Sequence, residues 1–268
     1  MNPRLLHGWS PYPALMLAGI IVSGIFWSRL ARKDERLIFI YAAALGGAFA
    51  GAKLLYIAAE GWMHFGQPGM WLQLATGKSI LGALLGGYGA VELAKRQCGY
   101  TEATGDWFAT IVPVTVAMGR VGCLLHGCCL GIVCEPAWYT IRDVFGESRW
   151  PAVPVEMGFN LLCAGAFVMM RRGGKLRGQH FHIYLMAYGV FRFGHEFLRD
   201  TPRVLWGFTG YQVAAAGCFA LGMAGYVRRR GQGGEQSDLN GSTSQKVMPK
   251  GISHHHAARR IRIATRQQ

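Results

Sequence analysis

Acidic residues are scarce in this chain, 14 of 268, and charged residues of all types make up only 16%. So little charge, with 51% hydrophobic residues and 38 glycines, excludes an ordinary soluble domain and points to a membrane protein. The seven cysteines contain no paired CxxC spacing, which argues against a zinc ribbon. No nucleic-acid-binding motif accompanies the net charge of +14, and no nucleic-acid partner is expected. Half of that excess lies between Arg228 and Gln268, where nine basic residues face two acids. The first apolar run lacks a small-residue cleavage pattern and is followed by basic residues, so it reads as a span and not as a signal peptide.

What is present are long apolar runs. A membrane core takes about 20 apolar residues of helix, and seven candidate spans follow: Tyr12 to Ser28, Leu37 to Ala59, Ser79 to Ala94, Trp107 to Leu125, a fifth from Pro154 to Arg171, His182 to Leu198, and Val204 to Val227. Basic clusters follow the first, third, fifth and seventh, which by the positive-inside rule makes those loops cytoplasmic. The expected fold is an all-α, polytopic transmembrane helix bundle with seven spans, the N-terminus outside and the C-terminus cytoplasmic. Residues 1–228 form the membrane domain. Residues 229–268 form a basic Gly/Ser/Gln-rich cytoplasmic tail that cannot build a core.

That topology sends the odd polar residues to one side. Tyr12, Lys53, Arg120, Glu156, Arg192, Glu196 and Arg199 all fall near external ends of spans. Each ionisable group at the bilayer centre costs roughly 2.5–3.5 kcal/mol on insertion scales, so such groups face a bundle interior or a wet cavity. A polar pocket open to the outer side is therefore expected. The stripes GGAFAGAK and GALLGGYG let helices approach closely.

The stretch Gly119 to Gly131, GRVGCLLHGCCLG, concentrates the chemistry. Arg120 keeps its charge and needs an anionic partner, either a lipid phosphate held bidentately or the carboxylate of Glu156 or Glu196. Arg192 and Glu196, four apart, share a helix face that Arg199 extends. His126 is a candidate general base. The cysteines can pack as small hydrophobes, bind metal with His126, or form a disulfide. Adjacent Cys128 and Cys129 would strain to bridge each other, so a disulfide would join one of them to Cys123 or Cys134.

These motifs resemble those of the prolipoprotein diacylglyceryl transferases, from Tyr12 to about Gly222. The family signature, Gly-Arg-x-Gly-Asn, then Asn-Gly-Glu, then Gly, is met by Gly119, Arg120, Gly122, Gly127 and Gly131. A second motif is met by Tyr188, Gly189, Phe191, Arg192, Glu196, Phe197 and Arg199. Weaker matches are Tyr12, Lys53, Tyr56, Glu156 and Gln212. The resemblance implies a seven-span enzyme of the bacterial inner membrane that passes the diacylglyceryl group of phosphatidylglycerol to the thiol of a prolipoprotein lipobox cysteine, with no metal or cofactor. Arg120 and Arg192 would hold the phosphate; Glu196, Arg199 and Tyr188 would orient them; Glu156 would position Arg120 or the glycerol head; Tyr12 and Lys53 would complete the substrate site. The chain departs from the family where Leu81 replaces a histidine, Cys123 an asparagine and Cys128 a glutamate. His126 is the expected substitute base. Two other readings stand beside this one: a divergent paralogue with another acceptor, and a non-catalytic membrane protein in which Cys123, His126, Cys128 and Cys134 bind metal or sense redox state.

Overall fold

A computed structural model describes residues 12–246 except 144 and 205, with side chains from 13 to 231. Its helices are α1 (Tyr12–Ala31), α2 (Arg36–Ala59), α3 (Met70–Thr76), α4 (Ile80–Gln97), α5 (Gly105–His126), α6 (Ala152–Arg172), α7 (His180–His195) and α8 (Gly210–Lys246). Short 3-10 turns cover Gly61–His64 and Glu196–Leu198, and strands β1 (Ile141–Arg142) and β2 (Ser148–Arg149) form an antiparallel hairpin. The chain divides into two units between Tyr226 and Val227. Helix α8 continues to Lys246, past the point where the composition places the start of the tail. Residues 247–268, with the three histidines, lie outside the described residues.

All-α architecture is as expected. Among the described residues four helices are long and apolar enough to cross a membrane: Pro13–Ala31, Arg36–Ala59, Gly105–His126 and Ala152–Arg172. The expected third, sixth and seventh spans correspond to α4, α7 and α8, which are not among these four. Glu92, Lys95 and Arg96 crowd the last turns of α4, and α7 has only 16 residues. Helix α8 starts six residues later than expected, because Val204 N–H donates to the Phe208 carbonyl and the intervening Trp206 and Gly207 adopt positive φ.

The outer faces of the helices carry exposed Leu17, Ile21, Phe49, Leu54, Leu162 and Met169. In water such surface would be a liability, whereas lipid tails solvate it. Inside, Trp27 lies tilted against Phe108 with ring centroids 4.5 Å apart, and Tyr184, Leu185 and Tyr188 on α7 are fully buried.

Helix α2 packs chiefly on α4, and α5 on α6 and α1. The α2–α4 contact is a small-residue seam. A Cβ on Gly51 would overlap the Gly82 carbonyl, and one on Gly82 or Gly86 would overlap the Gly51 or Gly47 carbonyl. The obstruction is backbone, which cannot swing aside, so Gly51→Val is expected to part the two helices and sharply reduce the folded fraction recovered in detergent. Gly46→Ala, in a helical position with nothing within 4 Å, should leave that fraction unchanged.

Candidate active site

Three arginines and two glutamates that the sequence scatters over 80 residues meet where α5, α6 and α7 converge. Arg120 lies near the end of α5, Glu156 in the first turns of α6, Tyr188 and Arg192 on α7, and Glu196 and Arg199 in the turn that follows. Arg120 Nη2 stands 2.7 Å from Glu156 Oε2, and Tyr188 donates its hydroxyl to Glu156 Oε1 at 2.6 Å. Arg192 Nη1 lies 2.5 Å from Glu196 Oε2, whose other oxygen accepts from Thr201 at 2.7 Å. Arg199 reaches both carboxylates, Glu196 at 3.7 Å and Glu156 at 3.9 Å. The three arginines, the two glutamates and Tyr188 are all buried.

Two supports lie outside the motifs. Asn160, one turn beyond Glu156, donates to the Glu156 carbonyl at 2.8 Å and accepts from Tyr184 at 2.8 Å, which locks the start of α6 against α7. Arg120 Nε is buried without a hydrogen-bond partner among the described residues, and Arg199 Nε and Nη1 are buried facing carboxylates at 3.7 and 3.9 Å, beyond hydrogen-bond distance. Buried donors in that state are ready to be satisfied by an anion.

The cysteine turn is built by glycine. Gly127, at φ +71°, ends α5 in the left-handed conformation, and Cys128 N–H returns to the Cys123 carbonyl at 3.1 Å in a Schellman arrangement. Cys129 follows at φ +61°. The turn folds Cys128 and Cys129 back over Cys123, so that the three sulfurs lie within 4.8 Å of one another. Arg120 Nη1 is 3.7 Å from Cys123 Sγ. Bonds from the Cys123 and Cys128 thiols, and then the nearby guanidiniums of Arg120 and Arg199, hold the Cys129 thiol well below its ordinary range. All seven cysteines are free, so the disulfide considered from spacing is not formed. Cys134 bonds instead through its backbone to Ser148, beside the hairpin.

A cavity of about 360 Å³ borders this turn, lined by Cys123, Cys128, Cys129, Arg142, Asp143 and Val153 among others. Arg149, on the neighbouring strand, braces the hairpin beside it. It donates to Asp143 at 2.6 Å, to the Gly131 carbonyl at 3.2 Å and to Asp200 at 3.0 Å. Backbone bonds from Ile132 to Leu198 and from Asp200 to Leu130 tie the cysteine turn to the Arg199 segment. Arg149 donates to the Asp143 carboxyl and holds it below the ordinary range. The stabilisation is therefore complete above the usual carboxylate pKa of about 3.9 and is lost as pH falls through the lower folded value. Amide exchange over residues 141–149 is expected to track intrinsic exchange between about pH 7 and 5, and to lose protection only below about pH 4. Loss already at pH 6 would assign the restraint to another group.

The other expected site residues are placed as follows. Lys53 spends its three ammonium donors on α3 and the turn after it, on the Leu74 carbonyl at 2.7 Å, the Gly77 carbonyl at 3.0 Å and the Ala75 carbonyl. His126, half-buried at the end of α5, is not among the cavity's lining residues. Tyr12 opens α1, but its side chain lies outside the described residues. Leu81, where the family has histidine, is buried in the core.

One acid was missed. Glu60, just past α2, is bonded to Tyr211 and stands within electrostatic reach of Arg199 and Glu196; burial pushes its carboxyl up from the ordinary range. A glutamate one residue beyond an apolar span reads as an ordinary helix end, and only the folded chain brings it to the cluster.

Apolar, membrane-length helices around a buried cluster of arginines and glutamates are the architecture of an integral membrane protein. Residues 9–228 match the family model described as prolipoprotein diacylglyceryl transferase, and the chain belongs to that family. It is 27% identical over 205 residues to a protein of Clostridium tetani named phosphatidylglycerol–prolipoprotein diacylglyceryl transferase, covering 72% of this chain and 81% of the relative. It is 29% identical over 239 residues to the protein of the same name from Dehalococcoides mccartyi strain 195, covering 82% and 88%.

Proposed function

We propose that this chain is a phosphatidylglycerol–prolipoprotein diacylglyceryl transferase, with the lipobox cysteine thiol as acceptor. The observation that carries the reading is the buried cluster of three guanidiniums against two carboxylates, Glu156 and Glu196, which one phosphate would complete. The thiolate attacks the glyceryl carbon that carries the phosphate. A carbon–sulfur bond forms, the carbon–oxygen bond breaks, and glycerol phosphate leaves with the electron pair. Negative charge grows on the phosphate, and Arg120 and Arg192 stabilise it most where it is greatest. Glu156, Tyr188, Glu196 and Arg199 act as positioning residues for those two arginines.

The bundle crosses the bacterial inner membrane seven times with its N-terminus outside, so the cluster faces the outer leaflet. Residues 229–268 form a cytoplasmic tail. Tyr12 and Lys53 border the substrate, Lys53 by fixing the turn from α3 to α4.

The acceptor thiol must lose a proton, because the thiolate is the nucleophile. His126 is one candidate for the base. Glu60 is favoured by its place near Arg199 and by a carboxyl whose affinity for protons burial has raised. The test is complementation in bacteria depleted of their own transferase, followed by growth and by the mass of a reporter lipoprotein. Wild type should restore growth and add a diacylglyceryl mass. Glu60→Gln should slow transfer by about 10²-fold or more, the usual range for losing a general base, and His126→Gln should slow it less. The reverse order would return the base to His126. No mass shift from a well-inserted wild-type protein would favour another acceptor.

A further inference from the structure

The cysteine turn offers a second site, independent of the transferase reading. Cys123, Cys128 and Cys129 hold three sulfurs within 4.8 Å of one another at the wall of the 360 Å³ cavity. We propose that these three side chains bind one soft monovalent metal ion, copper(I), as a trigonal trithiolate. Sulfurs about 2.3 Å from a shared ion stand roughly 4 Å apart, a spacing that small side-chain rotations would reach. Among the described residues no histidine, aspartate or glutamate completes this group. Hard ions need oxygen ligands and structural zinc takes four ligands, whereas soft thiolates select copper(I).

The surroundings suit the charge. Three thiolates around copper(I) carry a net charge of −2, and Arg120 lies 3.7 Å from Cys123 Sγ while Arg199 acts on Cys129. Binding displaces one proton from each sulfur that is still a thiol, and the protons leave through the cavity. The ion enters and remains as copper(I), so no electron is transferred. The left-handed turns at Gly127 and Cys129 hold the sulfurs together in advance, which lowers the ordering cost of binding. Cys134 and His126, grouped with this cluster on sequence spacing, are not part of it.

The test titrates copper(I) against a competing chelator, using the full chain in detergent under anaerobic, reducing conditions. One equivalent should bind, with X-ray absorption showing sulfur-only coordination by three atoms. Cys128→Ser and Cys129→Ser should each lose that equivalent, and Cys134→Ser should keep it. Should a serine variant fail to insert, thiol alkylation of the wild type decides. Copper(I) should protect Cys123, Cys128 and Cys129 from maleimide and leave Cys134 unprotected. Equal binding by Cys128→Ser, displacement by equimolar zinc(II), or protection that spares these three cysteines would overturn the assignment. None of these readouts depends on lipid transfer.

Discussion

Arg120→Ala is expected to cut diacylglyceryl transfer by at least about 10²- to 10³-fold, the range seen when one donor to developing charge is removed from a preorganised site. The residue sits at the junction of three features: the Glu156 ion pair, the Cys123 sulfur and the spare Nε donor. In the proposed reaction its loss removes both charge and geometry at the atoms where the leaving phosphate gathers its electrons. Arg120→Lys keeps the charge but presents no planar fork, so its activity should fall between alanine and wild type. The measurement is the mass of a reporter lipoprotein in depleted cells, with insertion checked separately. Full transfer by the alanine variant would remove Arg120 from the phosphate site.

Glu156→Ala should have the largest effect on stability. This carboxylate is fully buried and meets Arg120 at 2.7 Å, Tyr188 at 2.6 Å and Arg199 at 3.9 Å. Removing one partner of a buried pair typically costs about 3–5 kcal/mol, because the remaining charge has no compensation. Here three guanidiniums would be left in a low-dielectric interior with Glu196 as their one remaining ion-pair partner among the described residues. Glu156→Gln keeps the acceptor for Tyr188 and the side-chain volume, so it should lose less. Thermal unfolding in detergent checks both, and phosphatidylglycerol should raise the alanine variant's midpoint more than the wild type's. Equal midpoints for wild type and alanine would show that the pair contributes nothing net.

Much of this site could be read from the chain before folding, for one reason. Charges in membrane spans are costly, so each one observed needs a partner, and Arg120, Glu156, Arg192, Glu196 and Arg199 stood out against apolar neighbours. Glycine was equally legible on α2 and α4, since two small-residue stripes imply a close seam. The pairing itself was not legible. Arg120 had Glu156 and Glu196 as equal candidates, and the choice of Glu156 depends on how α6 sits against α5. The partners of Lys53 were not legible, because α3 is only seven residues long and leaves no clear sequence signal, yet its carbonyls take the ammonium. The trio of sulfurs was obscured by Cys134, near in sequence but drawn away by its bond to Ser148. Arg149 lies outside every motif and gathers Asp143, Gly131 and Asp200, a role that only long-range geometry reveals.

The odd number of charges in the cluster has a consequence for which lipids enter. Arg120, Arg192 and Arg199 against Glu156 and Glu196 leave these five side chains with a surplus of one positive charge. A headgroup bearing a single negative charge cancels it. A zwitterionic headgroup would bring its own ammonium among the guanidiniums and restore the surplus. Under the proposed function, this arithmetic on the heads separates lipids with the same tails and favours an anionic donor over a zwitterionic one.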